Sequence, residues 1–267
     1  MKQNFLKSTL LIKAICLLTT PLFAQGSYVT VNLGYGFRAG AGSTYNYTSS
    51  GSNTTREHVA LSFGQGLAFG AAFGHMFTNN VGAELGLSYL LGGKTESTDT
   101  YASGSDVTTL SAKMLRINPS VVISAGAESI NPYAKFGLII GKGSIKTEYN
   151  EIDRGDVFFT KIKYNGGIAF GFSSAIGLMF SLSEKLALIT EVNMINLSYA
   201  PTKGEVTEAT YNGADQLSSM TTNDKEIKFV DSHSSSFSSS SSQPDESVKS
   251  KYPFGSVGIN VGIKISL

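Results

Sequence analysis

Gly255-Ser256-Val257-Gly258-Ile259-Asn260-Val261-Gly262-Ile263-Lys264-Ile265-Ser266-Leu267 alternates from Val257 onward, an aliphatic residue at every odd position and glycine, asparagine, lysine or serine at every even one. Successive side chains of a β-strand point to opposite faces, so a period of two gives one greasy flank and one small or polar flank. An earlier segment repeats the pattern: Val29, Val31, Leu33, Tyr35 and Phe37 face one way, Thr30, Asn32, Gly34 and Gly36 the other. Residues 161–182 read as the longest strand, and residues 61–77, 81–92 and 132–145 keep the same period. Residues 108–125 and 186–199 keep it with one change of phase each, near Met114–Leu115 and near Ile195, expected as β-bulges.

These segments make about eight strands, each longer than the ~9–11 residues a tilted strand needs to cross a bilayer. The connections alternate in length. Short ones fall at residues 78–80, 126–131 and 183–185, long polar ones at 39–57, 94–106, 147–159 and 201–246. Tight turns on one side and long loops on the other are the pattern of outer-membrane barrels. The expected fold is therefore all-β: a closed antiparallel up-and-down transmembrane β-barrel of eight strands, with short periplasmic turns and long external loops. Residues 205–210 and 225–230 would raise the count to ten, with Tyr211-Asn212-Gly213-Ala214 as a hairpin turn. The serine-rich stretch 232–242 is too poor in apolar residues to order itself and is expected to be disordered.

Two details favour a membrane over a soluble, lipocalin-like exported barrel. The non-greasy flank is mostly Gly, Ala, Ser and Asn, which suits the crowded inside of a narrow barrel. Aromatics also gather in two belts. Phe73, Phe77, Tyr133 and Phe180 lie near the short turns; Tyr35, Phe37, Tyr89, Tyr199, Tyr252 and Phe254 lie near the long loops.

Composition agrees. Charged residues are 15% of 267, below the usual ~25%. The formal net charge of +1 leaves no basic surplus for a nucleic-acid partner. Lys2 and Lys7, an apolar run from Leu10 to Phe23, and Leu22-Phe23-Ala24 before Gln25 have the grammar of a secretory signal over residues 1–24, leaving 25–267 as one domain. No later stretch approaches the ~18 apolar residues of a membrane helix. Cys16 is the only cysteine, and Lys13-Ala14-Ile15 before it does not fit a lipoprotein signal. A mature chain without thiols has neither disulfides nor cysteine zinc sites.

Five charges fall on the interior flank. Glu84, Lys135 and Lys264 sit about three residues from the periplasmic ends of their strands, with Arg116 and Glu191 deeper. They read as a low ring of opposite charges that pairs across the lumen, a structural brace, with a permeation or proton path as the sharper alternative. Gln65 and His75 fall on the greasy flank, and Gln65 has no account there. His58 precedes Ser62 by four residues, about 13 Å along a strand, too far for hydrogen bonding. No histidine pair has metal-ligand spacing, and the carboxylates of residues 151–156 lack the spacing of a calcium loop. No catalytic, cofactor-binding or metal residue is expected.

Several segments together carry a family resemblance: Tyr28-Val29-Thr30-Val31-Asn32-Leu33-Gly34-Tyr35; residues 64–77; Asn79-Asn80-Val81-Gly82-Ala83-Glu84-Leu85-Gly86-Leu87-Ser88-Tyr89; Asn131-Pro132-Tyr133-Ala134-Lys135-Phe136-Gly137; and the final strand. In these the chain resembles the small outer-membrane β-barrel domain family, similar to the OmpA transmembrane domain and OmpX. The resemblance implies an eight-stranded monomer in the lipid of the cell outer membrane. It would be handed over by periplasmic chaperones and inserted by a barrel-assembly machinery that reads the last strand. Ile263, Ile265 and Leu267 would be that signal, Leu267 standing where many members carry an aromatic. The expected function is non-enzymatic, envelope-structural or surface interaction with an external ligand through the long loops. The alternatives are a narrow solute channel and, third, a lipid-modifying enzyme using His58 and a nearby hydroxyl.

Overall fold

The computed structural model describes residues 26–40, 42–51, 53–233 and 240–267; the expected leader and the middle of the serine tract lie outside them. One sheet holds seventeen strands. They are β1 (Ser27–Arg38), β2 (Gly42–Ser50), β3 (Asn53–Leu61), β4 (Gly66–Met76), β5 (Val81–Gly92) and β6 (Thr95–Tyr101). Then come β7 (Gly104–Ser124), β8 (Ile130–Asp153), β9 (Asp156–Asn165), β10 (Ala169–Ser181), β11 (Leu186–Tyr199) and β12 (Lys203–Tyr211). The chain ends with β13 (Ala214–Asp215), a helical turn α1 (Thr222–Lys225), β14 (Glu226–Val230), β15 (Asp245–Val248), β16 (Tyr252–Pro253) and β17 (Ser256–Ser266).

Eight of these strands pair in a cycle: β1 with β4, β4 with β5, β5 with β7, β7 with β8, β8 with β10, β10 with β11, β11 with β17, and β17 with β1. Each of these ladders is antiparallel. Val261, at the middle of the last strand, lies opposite Leu33 on one side and Thr190 on the other. Around the cycle the greasy flank points outward, as at Leu33, Phe69, Leu87, Ile117, Phe136, Phe172, Val192 and Ile259, all exposed. The small flank points inward.

The expected architecture needs correction on several points. Among the described residues the sheet has seventeen strands, not eight or ten. It is not wholly antiparallel, because β2 pairs with β6 and β14 with β15 in parallel. Most of the expected external loops are strands: β2 and β3 form a hairpin, β6 pairs with the upper half of β7, and β9 with the upper half of β8. The reason is solvent. Beyond the apolar belt water wets the outer flank, so the greasy alternation stops, while Thr-rich stretches such as Thr95-Glu96-Ser97-Thr98 keep extended backbone and continue the ladders.

The long strand read at residues 161–182 is two. Gly166 and Gly167 take φ of 81° and 70°, which glycine alone adopts freely, and the chain turns there between β9 and β10. The segment read at 61–77 also breaks, between β3 and β4. Gln65 therefore lies in a turn rather than on a lipid-facing strand. Its side chain accepts from Arg38 Nε and donates to the Tyr35 hydroxyl at 3.2 Å.

Neither expected bulge forms. The β5–β7, β7–β8, β10–β11 and β11–β17 ladders keep one register throughout, and the irregularity lies instead in β12, between Val206 and Glu208. The apparent phase changes mark a change in what fills the interior. Near the long hairpins, Phe63, Leu90, Met114, Ile139, Ile145, Leu197, Tyr199 and Phe254 pack into an apolar layer inside the cycle. Phe63 stacks on Phe254 at 5.5 Å, and Tyr199 meets Phe254 edge-on at 5.8 Å. Tyr199 and Phe254, read as belt aromatics, are thus fully buried, and so nearly is Tyr133 at 7% exposure.

Candidate functional site

Toward the short turns the interior is ionic. Lys135, on β8, reaches Glu84 of β5 and Glu191 of β11, its Nζ 2.8 Å from a carboxylate oxygen of each. The Tyr28 hydroxyl, from β1, donates to Glu84 Oε2 at 3.1 Å. The Tyr133 hydroxyl donates to Glu191 Oε1 at 2.9 Å, and Asn260 Nδ2 of β17 donates to Glu191 Oε2 at 3.1 Å. All four carboxylate oxygens are engaged, which is what allows two buried anions to share one buried cation.

Register explains how two tyrosines fit in so narrow an interior. Tyr28 lies directly opposite Gly74, and Tyr133 directly opposite Gly177. A side chain at Gly74 would collide with the Tyr28 ring, and a Cβ at Gly177 would stand 2.7 Å from Tyr133 Cζ. Each ring lies across its glycine and carries its hydroxyl to the carboxylate beyond.

Of the five interior charges read from the sequence, the structure brings Glu84, Lys135 and Glu191 together. Lys264 stays apart, its Nζ 4.2 Å above the Tyr28 ring, with no carboxylate within 4 Å among the described residues. Arg116 lies deeper and is buried; its Nε and Nη2 have no hydrogen-bond partner among the described residues. Tyr28, Tyr133 and Asn260 are members of the cluster that sequence reading missed. Their signal was parity, since each shares the interior phase of its strand with Thr30, Lys135 or Lys264.

The cluster divides two small voids. One of about 100 Å³ opens toward the short turns and is lined by Tyr28, Met76, Asn79 and Lys264. The other, of about 120 Å³, lies on the far side and is lined by Arg116, Asn118, Asn193 and Asn260. Glu84 and Lys135 line both.

The enzymatic alternative meets a specific obstacle. Ser62, the hydroxyl four residues after His58, is buried, donates to the Gly255 carbonyl and accepts from Gly64 N–H. His58 packs edge-on against Tyr45 at 5.8 Å on the exposed β2–β3 hairpin, where Arg56 lies 3.5 Å over the same ring. His75 shares a 3.1 Å hydrogen bond with Ser27. Among the described residues no three His, Cys, Asp or Glu side chains converge on a metal position. Beyond the membrane belt, a hydrogen bond to Asp106 pushes the Tyr101 hydroxyl up to about 12. Ile263 and Ile265 face outward, opposite Val31 and Val29 of β1, and Leu267 N–H donates to Ser27 O at 3.0 Å.

A family model described as outer membrane protein beta-barrel domain matches residues 14–229. A search of curated proteins finds no match. Among solved structures, the outer membrane protein OprG from Pseudomonas aeruginosa is similar at 12% identity and a TM-score of 0.44, covering 91% of this chain and 96% of its own. Ail, the attachment invasion locus protein of Yersinia pestis, is similar at 10% identity and a TM-score of 0.33, covering 91% of this chain and 100% of its own.

Proposed function

This chain belongs to the outer membrane protein beta-barrel domain family and is a non-enzymatic outer-membrane protein; from that premise we propose a structural and surface-contact role rather than solute transport. The observation that carries this reading is the filled interior. An apolar layer sits near the long hairpins, the Glu84–Lys135–Glu191 cluster sits near the short turns, and the voids beside that cluster hold about 100 and 120 Å³. A bound water takes about 30 Å³, so each void has room for a few waters, which favours a filled interior over a solute path. The material the chain spends beyond its apolar belt, the β2–β3, β6–β7, β8–β9 and β12–β14 pairings, is where a partner would meet it.

In this reading residues 1–24 are a Sec-type leader removed on export, and the short turns face the periplasm. Periplasmic chaperones deliver the chain, and the assembly machinery reads the outward row Ile263, Ile265 and Leu267. The product is a monomer in outer-membrane lipid. The charges Glu84, Arg116, Lys135, Glu191 and Lys264 serve the interior rather than a reaction.

Planar-bilayer recording of the refolded chain tests the role. No discrete conductance is expected; steady ion conductance that disappears on Lys135→Met would establish the channel reading in its place.

A further inference from the structure

The outward flank changes character at one level of the sheet. On β7 the exposed Ile117 and Leu115 give way to Lys113, and on β8 Leu138 and Ile140 give way to Lys142 and then Lys146. Register binds these into one surface: Lys142 lies opposite Leu115, Lys146 opposite Lys163 of β9, and Asn165 opposite Lys203 of β12. Lys94 adds a further charge from the β5–β6 connection, and all six lysines are exposed.

Like charges placed directly opposite each other in a ladder destabilise it, so a Lys146–Lys163 pair asks for an anion. The face's own carboxylates do not supply enough. Glu148 and Glu208 are engaged by Lys146 and Lys161; Glu205 lies opposite Lys163 in the β9–β12 ladder, yet among the described residues neither it nor Glu96 comes within 4 Å of a lysine. Among the described residues, Lys94, Lys113, Lys142, Lys163 and Lys203 have no ion pair within 4 Å. Two shallow basins of about 420 and 430 Å³ share Lys113, Ser144 and Lys163. The second also takes in Tyr89 and Leu115, the top of the apolar belt.

We propose that this face binds the phosphate-bearing headgroup of an outer-leaflet lipid, its acyl chains lying on Leu115, Ile117, Leu138 and Ile140. A soluble anion would have no use for a site whose lower edge is greasy, whereas a lipid needs both halves side by side. Lysines suit the task because their stems lie on apolar surface while the ammonium reaches the polar level. The inference rests on the proposed orientation, with the long hairpins outside.

The test titrates the refolded full chain in detergent micelles with bisphosphorylated lipid A. Counting each lysine near an anionic surface as about fivefold in affinity, the Lys113→Gln/Lys142→Gln/Lys163→Gln triple variant weakens binding roughly a hundredfold. Lys185→Gln, in a short turn at the other end, leaves it unchanged, and unboiled gel mobility confirms that every variant is folded. Equal affinity for dephosphorylated lipid A, full competition by inorganic phosphate, or an unaffected triple variant would overturn the inference. Labelling of a Thr54→Cys variant, exposed on the β2–β3 hairpin away from both basins, on intact cells with a membrane-impermeant maleimide separates the two failures. Label with unchanged lipid affinity sinks the headgroup site alone; label only after lysis sinks the proposed orientation and the site with it.

Discussion

Lys135 stands 2.8 Å from each of two buried carboxylates, and removing it leaves both anions facing each other. Breaking a buried ion pair from one side costs about 3–5 kcal/mol because the remaining charge is uncompensated. Lys135→Met is therefore expected to lower stability by that amount, read as the urea midpoint in micelles. Adding Glu84→Gln and Glu191→Gln to it should recover most of the loss; a triple variant no better than the single one would mean that the tyrosines and Asn260, not the charges, carry the cluster. Arg116 behaves in the opposite way. Its guanidinium is buried with Nε and Nη2 unmatched, so Arg116→Met, which keeps the volume and drops the charge, should be neutral or stabilising by about 1–4 kcal/mol. A clear loss of stability would reveal a partner for the guanidinium. At this scale the sequence showed which charges share the interior parity, and it misjudged Tyr133, because parity along a strand was overridden by the habit of placing aromatics at a membrane boundary.

Elements divide into those of the cycle and those above it. The β1–β4 ladder ends at Gly36 opposite Gly66, so the β2–β3 hairpin between them adds height without joining the cycle. Replacing residues 43–60 by a short turn should leave a folded chain that still migrates faster unboiled than boiled. What it loses includes the Arg38–Ala60 hydrogen bond, the Thr98 N–H to Asn46 Oδ1 hydrogen bond and the short β2–β6 pairing. Failure to regain the fast-migrating form would show that the hairpin nucleates the ladder below it. The same division explains why strands were read correctly in one zone and as loops in another. Within the apolar belt one flank meets hydrocarbon and the other the interior, so the period is visible. Above it both chemistry and burial relax, as in the run of half-buried residues over Gly104–Ser111, and a strand carries no hydrophobic signature although its hydrogen bonds continue.

For the whole molecule the outward flank is the term that matters. Val261 is 49% exposed at the middle of β17, between β1 and β11. An arginine near the bilayer midplane of such a surface costs about 2–4 kcal/mol. Val261→Arg is thus expected to lower the stability of the chain folded in lipid vesicles by that amount while changing little in micelles, where the head can reach water. Equal cost in both would argue that the flank packs against protein rather than lipid.

Sequence alone determined the alternation, which flank is greasy, the short turns, and the inward parity of Glu84, Lys135 and Glu191. All of these are local, since a strand's period of two is written residue by residue. Tertiary structure decided the seventeen strands, the breaks at Gln65 and Gly166–Gly167, the apolar layer around Met114 and Phe254, and which charges meet. Those depend on which strand becomes the neighbour and at what register, and residues as distant as Glu84 and Glu191 come together only when eight ladders run in a cycle.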